Sequence, residues 1–110
     1  MPSEELHLKL LRLLEQDPTR SQRALARELG VSVGSTNHAL RALLDRGWVK
    51  AQNFTRSDNK RGYLYKLTPS GMHEKARLAY HFLQRKRAEH KTLMDEIEQL
   101  RAEVRRQGRE

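Results

Sequence analysis

Residues 21–47, SQRALARELGVSVGSTNHALRALLDRG, decide how this chain folds. Ser21 and Ser32 each stand just before an apolar-periodic run, where a short side-chain oxygen caps the free N–H groups of a helix start. Leu25, Ala26 and Leu29 share one face of the first run. Thr36, Ala39, Leu40, Leu43 and Leu44 share one face of the second. Gly30 suits a left-handed C-terminal cap, Val31 is placed to pack on the following first turn, and Gly47 closes the second helix. Only Gly30-Val31-Ser32 separates the two helices, which is the length and composition of a helix-turn-helix connection.

On the N-terminal side a further helix is expected. Ser3 caps it, Glu4 and Glu5 sit well in its first turn, and Leu6, Leu10, Leu13 and Leu14 recur at helical spacing. Asp17-Pro18 ends it, because the residue before a proline is pushed out of the α region. On the C-terminal side Trp48 to Phe54 alternates as a strand does, and Tyr63 to Leu67 is rich in strand-preferring residues. Between them lies Thr55-Arg56-Ser57-Asp58-Asn59-Lys60-Arg61-Gly62, a polar tip with three cations. A helix-turn-helix followed at once by a basic-tipped hairpin is the winged-helix plan.

Thr68-Pro69 then opens a last helix, threonine as cap and proline at the first helical position. No proline and only the early Gly71 interrupt the pattern before Gly108, so this helix is expected to reach about 38 residues, or roughly 57 Å. Met72, Ala76, Ala79, Leu83, Lys86, His90, Leu93, Ile97, Leu100 and Val104 follow alternating steps of four and three, a heptad seam with two polar entries in its middle. Glu96 and Arg101 flank its strongest part at g and e positions. Two partners can cover such a seam: the chain's own domain, or a second copy, and the second copy is the stronger expectation. The dimerisation residues are then Leu83, Leu93, Ile97, Leu100 and Val104. The expected fold is therefore mainly α with a small β-hairpin: a winged helix-turn-helix over residues 1–70 and a long, coiled-coil-like dimerisation helix over 71–110.

The chain of 110 residues carries a net charge of +8, unevenly distributed. Residues 19–66 hold ten Lys or Arg against three Asp or Glu, net +7, whereas residues 1–18 hold two against four. A local cationic field of this kind attracts polyanions, nucleic acid first among them. Other classes fall away. There is no cysteine, hence no disulfide frame, thiol nucleophile or Cys-based zinc site. The five histidines show no i,i+3 or i,i+4 pair, and no glycine cluster forms a phosphate-cradling loop, so neither catalysis, a cofactor nor a metal is expected. No apolar run approaches the ~20 residues of a membrane span, and the acidic start is unlike a signal peptide, so a cytoplasmic location is expected.

Several of these motifs together resemble the MarR-type regulators of bacteria. The similarity lies in Ser21 to Ser32, in Leu43-Leu44-Asp45-Arg46-Gly47-Trp48-Val49 entering the first wing strand, and in Leu67-Thr68-Pro69-Ser70-Gly71 after the wing. More narrowly, Gly47-Trp48-Val49-Lys50-Ala51-Gln52-Asn53-Phe54 and the long charged helix resemble the exopolysaccharide-associated regulators of that family. The resemblance spans roughly residues 4 to 105. It implies a homodimeric regulator of transcription that binds double-stranded DNA, with exopolysaccharide biosynthesis genes as its targets. Typical MarR members build their dimer from helices at both ends, whereas here the C-terminal helix is expected to carry it. Few residues remain to form the family's pocket for phenolic effectors, so no small-molecule effector is expected. The usual wing spaces its Asp and Arg two apart; here Asp58 and Arg61 are three apart.

On this plan the third helix reads DNA from the major groove. With its leucines inward, Gly34, Ser35, Asn37, His38 and Arg41 face out. Asn37 can bond an adenine edge in two places, and Arg41 can reach guanine or phosphate. Gly34 allows close backbone approach, and Ser32 adds a hydroxyl beside a phosphate. Arg56, Lys60 and Arg61 on the wing suit a narrow minor groove, while Arg20 and Arg23 suit phosphates. The competing reading is a winged-helix adaptor that docks proteins through its last helix. The cationic middle of the chain weighs against that, and the lack of aromatic stacking residues on the exposed face weighs against single-stranded RNA.

Overall fold

The computed structural model describes residues 3–55 and 61–108. Four helices and a hairpin follow in the order α1 (Ser3–Gln16), α2 (Gln22–Leu29), α3 (Val33–Asp45), β1 (Val49–Thr55), β2 (Arg61–Leu67) and α4 (Pro69–Arg106). This is the expected mainly α winged helix-turn-helix with a long last helix. Packing divides the chain into two units, the first ending at Ala79 and the second starting at Tyr80.

In the first unit α1, α2 and α3 pack on one another, and α1 also meets β2. Leu10, Leu11 and Leu14 of α1, Leu25 of α2, and Leu40 and Leu43 of α3 are fully buried, joined by Leu78 of α4. Each buried leucine stabilises the fold by about 1.5–3 kcal/mol, so this small set carries most of the hydrophobic drive. The α1 stripe differs from the expected one. Leu8 and Leu11 are buried, whereas Leu6 and Leu13 are only half-buried. A helix covered from three directions buries more than a single 3.6-residue stripe, so spacing alone does not choose among its leucines.

The two strands pair antiparallel with Val49 opposite Leu67 and Thr55 opposite Arg61. The hairpin is thus longer than expected, and Arg61 lies within β2 rather than on the tip. The outer edge of β2 is also engaged: the Tyr65 N–H donates to the Pro18 carbonyl at 3.0 Å. Pro18 therefore ends α1 and also anchors the α1–α2 loop to the wing.

The junction between the wing and α4 explains two of the sequence motifs at once. The Thr68 hydroxyl donates to the Gly47 carbonyl (2.6 Å) and accepts from the Gly71 N–H (3.1 Å), capping α4. The Thr68 N–H donates to the Trp48 carbonyl at 3.0 Å, and the Ser70 hydroxyl donates to Gly47. The Leu-Thr-x-x-Gly run is thereby fastened to Gly47-Trp48. A Cβ on Gly71 would stand 1.8 Å from the Trp48 carbonyl oxygen, backbone that cannot swing aside. Gly71→Ala is therefore expected to destabilise the unit by about 1–3 kcal/mol, the cost of overpacking. That lowers its melting temperature by about 4–8 °C per kcal/mol. An unchanged melting curve would mean that α4 is not seated on Trp48.

Gly71, Glu74 and Leu78 are the buried positions of α4. Glu74 accepts two hydrogen bonds from Arg77 at 2.7 and 2.6 Å, which hold its carboxyl below the ordinary range and raise Arg77 above its own. Lys75 reaches Glu15 of α1 at 2.7 Å. In the second unit the helix continues to Arg106, and its large apolar residues are uncovered: Leu93 is 53% exposed, Leu100 59% and Val104 42%, while Ile97 is half-buried.

Candidate nucleic-acid interface

The turn between α2 and α3 is held by its own polar groups. Ser21 accepts from the Ala24 N–H (3.1 Å) and caps α2. Gly30, at φ 71°, takes the left-handed conformation, and its N–H bonds back to Ala26 while the Val31 N–H does the same. These bonds satisfy the carbonyls left open at the helix end. Ser32 caps α3 by accepting from the Ser35 N–H at 3.0 Å, and the Thr36 hydroxyl donates to the Ser32 carbonyl at 2.9 Å. This last bond lets a polar residue sit fully buried at the centre of the motif.

The structure exposes four of the five residues expected on the outer face of α3. Gly34, Ser35, His38 and Arg41 are exposed and Asn37 is half-buried. The Ser32 hydroxyl donates to Ser35 Oγ at 3.0 Å while accepting from the Ser35 N–H. Its proton is thereby committed within the turn, and Ser35 holds the hydroxyl hydrogen that can turn outward. Among the described residues a Cβ on Gly34 would meet only Ser32 Oγ, at an ordinary 3.8 Å. None of them demands glycine there, although it costs helix stability.

Arg23 is exposed at the start of α2. Arg20 is half-buried: its Nε lies 4.0 Å from Asp17, and its Nη1 is buried without a partner among the described residues. Asp17 is held below its ordinary pKa by hydrogen bonds from the Thr19 hydroxyl and N–H. Arg20 thus faces the α1–α2 loop, with less of its surface turned to solvent than Arg23. Arg61 is exposed on β2; Arg56 and Lys60 lie outside the described residues.

Two features escape a reading of the sequence by helix faces alone. Val33, first residue of α3, is 45% exposed beside Gly34. Its signal is an apolar residue directly after the Ser32 cap. Lys50 and Lys66 stand directly opposite each other in the hairpin and are both exposed. Like charges so placed repel unless an anion lies over them. Alternation places Lys50 in a strand, but only the register gives it a partner.

At the α1–α4 side of the first unit, Glu4, His7, Arg46, Trp48, Glu74 and Arg77 line a cleft of about 280 Å³. Burial, with Arg46 close by, pushes the His7 pKa down. Arg46 lies over the Trp48 ring at 5.2 Å. Among the described residues no three His, Asp or Glu gather as metal ligands, and no helix is long and apolar enough to cross a membrane.

Residues 3–50 match the family model described as winged helix-turn-helix DNA-binding. No curated protein sequence matches the chain. Among solved structures it is similar to the PcaV transcriptional regulator of Streptomyces coelicolor, at 18% identity over 91% of this chain and 78% of that one, with TM-score 0.65. It is similar to a MarR/EmrR family transcriptional regulator of Acinetobacter, at 18% identity over 91% and 75%, with TM-score 0.58. The Sso10a-2 DNA-binding protein of Sulfolobus solfataricus aligns over 91% of this chain and 96% of its own, at 16% identity and TM-score 0.66. At such identities the likeness is one of fold.

Proposed function

We propose that this chain is a sequence-specific transcriptional regulator that binds double-stranded DNA as a homodimer. The observation that carries the reading is the outer face of α3. It presents Gly34, Ser35, Asn37, His38 and Arg41 around a helix start whose glycine would, with a Cβ, meet only Ser32 Oγ among the described residues. This face lies in the segment of net charge +7. That α3 face enters the major groove, where Asn37 and Arg41 read base edges and Val33 meets a thymine methyl group. Arg23, Lys50, Lys66 and the wing cations Arg56, Lys60 and Arg61 hold the phosphates or the minor groove. Arg20, half-buried beside Asp17, contributes less directly. The seam residues Leu83, Leu93, Ile97, Leu100 and Val104 of α4 pair the two copies. Regulators and a DNA-binding protein among the similar folds support the same reading.

The test is selection of a preferred duplex from random sequence, followed by Asn37→Ala on that duplex and on an unrelated one. Asn37→Ala is expected to cost about 1–3 kcal/mol on the selected site and much less on the other, flattening the preference. Equal losses on both duplexes would remove α3 as the reading element. The narrower assignment, control of exopolysaccharide genes, rests on the wing-entry resemblance of Gly47 to Phe54. It requires that selected sites lie upstream of such genes.

A further inference from the structure

The apolar seam of α4 carries information about its partner beyond the fact of pairing. Steps of four and three place Leu83, His90, Ile97 and Val104 at a positions and Lys86, Leu93 and Leu100 at d positions. In the last two heptads the a positions are thus β-branched and the d positions are leucine. That combination favours two parallel strands, because each position meets its own copy across the pair. The flanks point the same way. Glu89, Glu96 and Glu103 occupy every g position of this stretch, and Arg87, Met94 and Arg101 the e positions.

In a parallel pair each g residue faces the next e residue of the other chain. Glu96 then meets Arg101, and Glu89 packs its methylenes on Met94. In an antiparallel pair g faces g and e faces e, so a row of glutamates opposes a row of glutamates and the arginines oppose arginines. The ion pairs now present within the helix, Arg101 to Glu98 at 3.3 Å and Lys86 to Glu89 at 3.2 Å, join exposed side chains and are exchanged at little cost. Lys86 and His90 fix the register. A slip of one heptad would bury them against Leu93 and Ile97, whereas in register they stack on their own copies at the start of the seam.

From this we infer that the partner of α4 is a second copy of the same helix, parallel and in register, with its apolar seam running from Leu93 to Val104. The inference rests on the homodimer reading above and adds the direction of pairing. Both chains then enter the coil from the same end.

The chain has no cysteine, so a single introduced thiol reports on one position. Leu93→Cys and Val104→Cys are made separately in the full chain and oxidised with glutathione disulfide, at a concentration where each sediments as a dimer. A disulfide needs Cα atoms about 4.4–6.8 Å apart. In a parallel, in-register pair both positions meet that distance, and most of each variant is expected to run as a covalent dimer. In an antiparallel pair a residue meets its own copy only where the two-fold axis crosses. The two positions lie about 16 Å apart along the helix, so at most one can cross-link. A dimeric variant that stays uncross-linked at either position overturns the parallel pairing. If the unmodified chain sediments as a monomer, the homodimer reading itself fails. A variant that loses its dimer is replaced by Ile97→Cys or Leu100→Cys and read in the same way.

Discussion

Between 50 and 200 mM salt the affinity of this protein for duplex DNA is expected to fall by roughly 10³–10⁵. The expectation follows from the position of its charge. Net +7 lies in residues 19–66, which include α2, α3 and all of the wing but Leu67, while the N-terminal helix is acidic. Each phosphate neutralised by a lysine or arginine releases condensed counterion, and the logarithm of affinity falls by about 0.9 per contact for each tenfold rise in salt. Arg23, Arg41, Lys50, Arg61 and Lys66 are exposed in each copy. Two copies therefore supply roughly six to ten contacts even if several cations miss the backbone. Anisotropy titrations at four or five salt concentrations measure the slope directly. A slope below about two would mean that the cationic segment does not lie on DNA.

What the sequence made legible was governed by local chemistry. The caps at Ser21 and Ser32, the left-handed Gly30, and the Thr68-Pro69 start of α4 each depend on a few neighbouring residues, and α2 spans Gln22–Leu29 as its spacing requires. What was not legible depended on distant partners. The reason for Gly71 is the Trp48 carbonyl, which only the folded junction brings near. The length of the wing depended on strand pairing that continues through a polar, charged stretch to Thr55 and Arg61. Leu8 and Leu11 outrank Leu6 and Leu13 because α2, α3 and β2 surround α1 together. The candidate site divides along the same line. The α3 face follows from helical spacing, whereas the commitment of the Ser32 proton to Ser35, the half-burial of Arg20 and the facing of Lys50 and Lys66 required the fold.

Ending the chain after residue 88 is expected to give a folded monomer. All the buried hydrophobic residues, from Leu8 to Leu78, precede the cut, as does the Thr68–Gly71 junction, so the melting of the first unit should change little. The cut removes Leu93, Ile97, Leu100 and Val104, and leaves Leu83 as the one large aliphatic seam residue of the second unit, beside Lys86. Covering four half-exposed aliphatic side chains on each of two helices supplies about 6–12 kcal/mol. Association costs about 4–15 kcal/mol. The gain is of the same order as the cost, so a seam shortened to one leucine cannot hold a pair. On DNA with two half-sites the second contact then loses its tether, and affinity should drop by about 10²–10⁴. Binding to a single half-site should hardly change, because every proposed DNA contact lies before residue 67. The salt slope on the paired site should halve with the number of protomers bound. Sedimentation and the two duplexes together separate the causes: a truncated chain that remains dimeric removes α4 as the pairing element, and one that loses half-site binding shows that α4 shapes the winged unit itself.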